Sequence, residues 1–415
     1  MNGDWYQVDN VANVFLATMV KRDTRSLRVS VTLKEYIKKD VLQEAAEETA
    51  RLRPQINVKI HRGLFWHYME EVSLKPVVEE ERRRVCPKLY ERYNETGLHY
   101  LISYHEKRIN FDMLHVLGDG FGAIDFVNLL LFNYLKRVHP VELSTLDYGA
   151  GPLKGQLSEN SFDNIEAQAG KNKIDIKSAF REFSPKLPFD QLQFIEVHMP
   201  SKEILSRAKA LGVTVTSLIG SALVMALINN MPLAVKKMPV SIEMPVNLRS
   251  FYPSESIRNF FSDIKYSRVP TGDESLSEVA KEYDLSMKEN LTPEKISAQI
   301  AQIQAFQKNG VIRAVPLFLK QGALRFFSFL TNSGASAVLS NLGRVSLPKE
   351  MEGFVDYYSM YCSSHNLFFC VNSFGDNFVI GITNPYTQTD VIRDFVRTFS
   401  HDGVPVTVYA TGVIR

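Results

Sequence analysis

The residues best suited to chemistry lie together in His115-Val-Leu-Gly-Asp119-Gly120-Phe-Gly122. Histidine has an ordinary pKa near 6.5, so it can take and return a proton at neutral pH. An aspartate four residues on is an obvious partner to orient the imidazole, and the glycines let the backbone bend sharply there. Alternation along the preceding strand puts Ile109, Phe111, Met113 and His115 on one face, so three apolar residues lead to an imidazole at the strand tip. A lone histidine there also fits a satisfied core position, and H-x-x-x-D-G is a motif of moderate specificity.

Other chemistries fit less well. Gly118-Asp-Gly120-Phe-Gly-Ala123 matches the dinucleotide fingerprint G-x-G-x-x-A, with Glu142 about twenty residues later. Asp119 would repel a pyrophosphate in that loop, however. A strand carrying Asn110 and Asp112 and returning through a hairpin is also not the buried parallel strand the fingerprint needs. There is no G-x-S-x-G elbow and no P-loop. Cys362, His365 and Cys370 lack metal-ligand spacing, so no metal site is expected. In residues 79–84 three glutamates cancel three arginines, which reads as a solvated helix face rather than a phosphate patch. Phe326, Phe327 and Phe329 on one helix read as core packing rather than an acyl pocket.

Strand and helix patterns alternate on both sides of this motif. Residues 27–33 alternate apolar with Arg28, Ser30 and Thr32, a half-buried strand. Asp40 is expected to cap a helix burying Val41, Ala45, Thr49 and Leu52, closed by Pro54. Residues 56–60 and 64–69 read as strands around the Arg62-Gly63 turn, and 99–104 with 108–115 as a hairpin. An apolar helix follows at 122–136. Residues 148–190 are rich in Gly, Ser, Asn, Lys and Pro and read as a linker. The rhythm then restarts: a strand at 194–198, a helix capped by Ser201, strands at 238–246 and 260–266, a capping box Ser275-Leu-Ser-Glu278, and a helix opened by Thr292-Pro293. Strands dominate 335–383. A helix at 390–399 and a strand at 404–409 close the chain, with Pro405 marking a sheet edge. Residues 213–235 carry no charge but include two asparagines and a proline near their end. A buried helix capped by Thr214 or Thr216 fits them better than a membrane span. The fold class is α/β (α+β): two similar lobes, 1–147 and 191–415, joined by 148–190.

Composition narrows the function. The 415 residues are 45% hydrophobic and 23% charged, which is ordinary for a globular chain. Lys+Arg number 48 and Asp+Glu 46, a net charge of +2, so no global basic field for nucleic acid exists. Three cysteines make no disulfide framework, and residues 1–13 lack a signal-peptide pattern, so a cytoplasmic location is expected.

His115-x-x-x-Asp119-Gly120 resembles the active-site motif of the acyltransferases related to chloramphenicol acetyltransferase, nonribosomal condensation domains and alcohol acetyltransferases. Pro245-Val-Asn-Leu-Arg249, Arg258-Asn-Phe-Phe261 and Ser340-Asn341-Leu342-Gly343 are similar in order and spacing. The resemblance implies two lobes forming a V around a tunnel, with a second-lobe segment within 335–372 crossing to the first. It implies His115 as general base, deprotonating a small alcohol or amine acceptor as it attacks a thioester carbonyl, and acyl-CoA as co-substrate, with no permanently bound cofactor. Asp119 would point away from the pocket and pair with an arginine, Arg249 first and Arg258 second, keeping the Gly120 loop in shape. Ser340 or Asn341 could donate to the oxyanion, or Asn341 could only cap the turn before Gly343. Leu114 replaces the second histidine usual in peptide-condensing members. The only tryptophans are Trp5 and Trp66, so the tryptophan motif of the plant acyltransferases is absent. The nearest branch is therefore the alcohol acetyltransferase-like one, with acetyl one possible acyl group. The alternatives are a stand-alone condensation enzyme using carrier-bound acyl groups and a catalytically silent binding protein.

Overall fold

The β-branched and aromatic runs of the first half form short strands separated by helices. The computed structural model describes residues 4–20, 23–81, 85–90, 97–148, 155, 158–167, 178–188, 191–310, 314–331 and 334–410. In order come β1 (Trp5–Gln7), α1 (Asn10–Thr18), β2 (Ser26–Leu33), α2 (Lys39–Leu52), β3 (Val58–Arg62), β4 (His67–Glu71), β5 (Val78–Glu80), β6 (Tyr100–His105), β7 (Arg108–Leu114) and α3 (Gly120–Val138). The second half adds β8 (Gln193–Pro200), β9 (Val240–Asn247), β10 (Phe261–Arg268), β11 (Ala337–Arg344), β12 (Val355–Cys362), β13 (Leu367–Phe374), β14 (Asn377–Asn384) and β15 (Thr407–Ala410).

Two large sheets make the two lobes. One is ordered β12-β2-β7-β6-β5, the other β10-β9-β11-β13-β14-β8-β15, and β1-β4-β3 is a small third sheet. β11 runs parallel to β9 and β13, which makes the larger sheet mixed. β12 leaves the second half and pairs antiparallel with β2, so one second-half strand completes the first-lobe sheet. It crosses closely: a Cβ on Gly381 of β14 would lie 1.9 Å from the Met360 carbonyl oxygen, so no larger residue fits there. Each sheet buries an apolar face against helices. α3 lies in the first core with Phe111 and Phe126 stacked, and helix Val215–Asn229 is buried in the second. Among the described residues no single helix is long and apolar enough to cross a membrane.

Several local expectations change. β2 and β7 are buried on both faces, not one. Their polar residues face each other in register: Arg28 forks onto Asp112 at 2.9 and 2.7 Å, and Ser30 donates to Asn110 at 2.7 Å. Alternation marked a polar face correctly, but cross-strand partners rather than water satisfy it. The described part of the charged run is not helical: Glu79 and Glu80 are in β5, Glu81 pairs with Arg28 and Arg108, and 82–84 lie outside the described residues. Asp40 sits inside the first turn of α2 while Lys38 takes the cap position, and Leu52 is exposed. Pro200, not Ser201, precedes helix Ser201–Leu211. The second strand of the first-half hairpin begins at His67, not 64. Thr214, Ser275 and Thr292 do cap their helices through side-chain oxygens. Phe326 is 66% exposed rather than core. The side chains of Phe327 and Phe329 lie outside the described set.

Candidate active site

β7 ends at Leu114, and the backbone N–H of His115 donates to the Arg25 carbonyl at 2.8 Å, fixing the strand tip against the start of β2. Asp119 then N-caps α3, accepting from the Gly122 N–H at 3.1 Å. The helix thus begins at Gly120, two residues earlier than its apolar pattern indicates. The loop is tight because the second half is wedged onto it. A Cβ on Gly118 or Gly122 would lie 2.2 Å from the Ile257 carbonyl oxygen. Leu342 of β11 packs on Gly120 in the same way.

Arg249 joins the two halves. Its guanidinium donates to Asp119 Oδ2 at 2.6 Å, to the Ser256 carbonyl at 2.6 Å and to the Arg258 carbonyl at 2.8 Å, and lies over the Phe121 ring at 4.5 Å. It is buried, not an exposed strand-end residue. Asp119 also accepts from the Phe260 N–H at 3.0 Å, so three donors occupy its carboxylate and none comes from His115. Arg258 goes elsewhere: it donates to the Gln7 carbonyl and lies over Tyr6.

His115 finds its partner in Asn259, 1% exposed, whose Oδ1 is 3.1 Å from the imidazole Nδ1. The Asn259 amide donates in turn to the His115 carbonyl at 3.0 Å and to Asp9 Oδ2 at 3.4 Å. Both are acceptors, so the amide nitrogen points at them and its oxygen at Nδ1. Nδ1 therefore carries the proton, and Nε2 keeps a free lone pair. Burial holds the imidazole below its ordinary pKa. The charge of Asp119 and hydrogen bonds to its own carbonyl and Asn259 pull the other way, and Arg25 adds to the lowering. Asp9 caps α1 through Ala12 and is pushed up to about 6, mainly by burial. α1 brings Phe15 to 4.7 Å from the imidazole, and Phe261 of β10 stands at 6.0 Å.

These groups open onto a cavity of about 1420 Å³ between the lobes, lined by His115, Asp119 and Gly120 from one side and Asn247, Ser340 and Asn341 from the other. Asn341 is engaged at both ends of its amide: Nδ2 donates to Thr216, and Oδ1 accepts from Gly343 N–H at 2.9 Å. This is the turn-capping arrangement, with Gly343 at φ +72°. Ser340 lines the cavity one residue earlier. The three thiols are free cysteines, and burial raises each well above its ordinary value, Cys362 up to about 12. That leaves them protonated and poor as nucleophiles. Among the described residues no group of three His, Cys, Asp or Glu is arranged to hold a metal ion.

No protein-family model and no curated protein matches the chain. Solved structures do. Polyketide synthase associated protein 5 from Mycobacterium tuberculosis aligns over 96% of this chain and 97% of its own, with TM-score 0.64 and 12% identity. The chain has the chloramphenicol acetyltransferase-like fold. TRI3 trichothecene 15-O-acetyltransferase from Fusarium sporotrichioides aligns with TM-score 0.63 over 94% of each chain at 13% identity. The starter condensation domain of rhizomide synthetase, a mutant solved with C8-CoA and Leu-SNAC, aligns at 0.60 over 95% of this chain and 93% of its own, at 11% identity. The likeness is one of fold; the site rests on the side chains themselves.

Sequence reasoning passed over Asn259, Asp9 and Phe15. Asn259 stands inside the noted Arg258-Asn-Phe-Phe261 segment, but nothing local marks an asparagine as the partner of a histidine 144 positions away. Nor does anything local tie Asp9 to that histidine. Asn259→Ala is expected to lower kcat about 10- to 100-fold, part of the general-base factor, with little change in KM. Steady-state thiol release checks this. A KM effect without a kcat effect would remove Asn259 from the orientation of His115.

Proposed function

We propose that the protein transfers an acyl group from a coenzyme A thioester to an alcohol or amine, with His115 as general base. The observation that carries this reading is the Asn259 contact, which ties up Nδ1 and leaves Nε2 as the free lone pair beside the cavity. The acceptor O–H or N–H gives its proton to Nε2 as its heteroatom attacks the thioester carbonyl. The carbonyl π electrons move onto oxygen, where the Ser340 hydroxyl is the donor available to the oxyanion. Collapse reforms the carbonyl, breaks the C–S bond and expels the thiolate, which recovers the proton from the imidazolium. No acyl-enzyme forms, in keeping with protonated buried cysteines. Asp119 and Arg249 hold the loop that carries His115. A cavity of about 1420 Å³ exceeds the usual roughly 300–1,000 Å³ of ligand pockets, which favours donor and acceptor bound together.

The choice of donor is the point to test. With an acceptor present, thiol release should proceed with acyl-CoA as the donor and be no faster when the same acyl group is presented on a phosphopantetheinylated carrier protein. Turnover confined to the carrier-bound thioester would overturn the coenzyme A reading in favour of a condensation enzyme.

A further inference from the structure

Apolar side chains frame the mouth of the cavity. Helix Leu317–Thr331 lies beside α1 and the turn between β3 and β4. The Leu317 N–H donates to the Leu64 carbonyl at 2.8 Å, the Lys320 ammonium to the Phe65 carbonyl at 3.0 Å, and the Arg325 guanidinium to the Ala17 carbonyl at 2.6 Å. This packing buries Leu317. Phe318 and Phe326, with Gly322 between them, share one broad side of the helix and stay 59% and 66% exposed. Leu64 and Trp66 in the neighbouring turn are 68% and 45% exposed, and Leu319 is exposed as well. Trp66, Leu319 and Phe326 also line the cavity, which places them on its rim. Single exposed apolar residues are ordinary, but a group held together around an opening marks a surface that meets something apolar.

Charge gives a second, independent observation. Residues 295–349 hold seven Lys+Arg and no aspartate or glutamate, although 46 of the 415 residues are acidic. The other rim segments match: 11–22 carries Lys21 and Arg22, and 56–69 carries Lys59 and Arg62, again without an acid. The whole chain is only +2, so the remainder is net acidic. Arg62 and Arg325 are exposed beside the apolar side chains. Aromatic and aliphatic side chains set among cations, with no acid, complement the headgroup region of an anionic bilayer. The rings enter the acyl boundary and the long basic side chains reach the phosphates. A second copy of this chain would bring the same cations to a two-fold contact and repel. A protein partner would cover the rim but not explain its continuation inward, where Val14, Phe15 and Leu324 extend the apolar lining.

We propose that this rim docks on an anionic phospholipid bilayer, with Leu64, Trp66, Phe318, Leu319 and Phe326 in the headgroup–acyl boundary and the cavity mouth facing the lipid. An aliphatic substrate chain then passes from bilayer to cavity without crossing water. The docking stands apart from the reaction; only that use of the path rests on the acyl-transfer reading.

The test is flotation of the native protein with vesicles of phosphatidylcholine and phosphatidylglycerol in equal parts, against phosphatidylcholine alone. Binding should be at least about tenfold tighter to the anionic vesicles, since each Lys or Arg at such a surface contributes about fivefold. The double variant Leu64→Ser with Phe318→Ser should weaken that binding by about tenfold or more. Neither residue lines the cavity and both are exposed, so Tm should stay as in the native protein. Trp5 and Trp66 are the only tryptophans, which supplies a local probe. Fluorescence should shift to the blue on anionic vesicles and be quenched by brominated lipid, and Trp66→Phe should abolish the quenching. Equal binding to both vesicles or none, binding that survives the double substitution, or quenching that survives Trp66→Phe would overturn the proposal. So would a dimer, or capture of a phosphopantetheinylated carrier protein, that the double substitution abolishes while vesicles go unbound. Vesicle binding lost in the double variant, with no thiol released from any acyl-CoA, would uphold the docking and remove the reaction.

Discussion

Replacing His115 with alanine is expected to lower kcat for thiol release by about a thousandfold, within the range for loss of a general base. KM for the acyl donor should change little, because the imidazole acts on the acceptor. The pH dependence gives the sharper sign. Burial holds His115 below its ordinary value, so the base is neutral at pH 6.5 and is lost only as pH falls through its lowered pKa. The acid limb of kcat/KM should therefore sit below 6.5 and vanish in His115→Ala, leaving a slow, flat residual rate. A variant that folds normally and keeps full turnover would end the general-base account.

Arg249→Ala is expected to destabilise the protein by about 3–5 kcal/mol, because it leaves the Asp119 carboxylate buried beside a lost partner. The loss is wider than one ion pair. The same guanidinium binds the Ser256 and Arg258 carbonyls, so its removal frees the segment that brings Asn259 to His115 and the Phe260 N–H to Asp119. Activity should fall with stability. Asp119→Asn keeps an oxygen for only one of the Gly122 and Phe260 N–H groups, which use different carboxylate oxygens, and removes the charge that faces Arg249. It should lower Tm by less than Arg249→Ala while still lowering the rate. Loss of rate at an unchanged Tm would instead give Asp119 a direct part in proton transfer.

Local patterns made much of the architecture legible. Alternation marked β2 and β7, and the oxygens of Thr214, Ser275 and Thr292 announced their helices, because these features depend on neighbours within a few residues. His115 and Asp119 were readable because one short loop carries both. What escaped was set by contacts between distant segments. Arg28, Ser30, Asn110 and Asp112 look like a solvated face until β2 and β7 are placed in register. Asn259 means nothing until the second lobe brings it to Nδ1. Opposite signs of charge in 79–84 misled at Glu79 and Glu80, where a parallel pairing of β5 with β6, not helical periodicity, decides the conformation.

The most direct measurement is thiol release from acyl-CoA by the native protein, with and without an alcohol or amine acceptor, alongside intact mass after incubation with donor alone. Direct transfer predicts release that depends on acceptor, with no acyl adduct on the protein. A burst of thiol without acceptor, accompanied by a mass increase of one acyl group, would contradict the account.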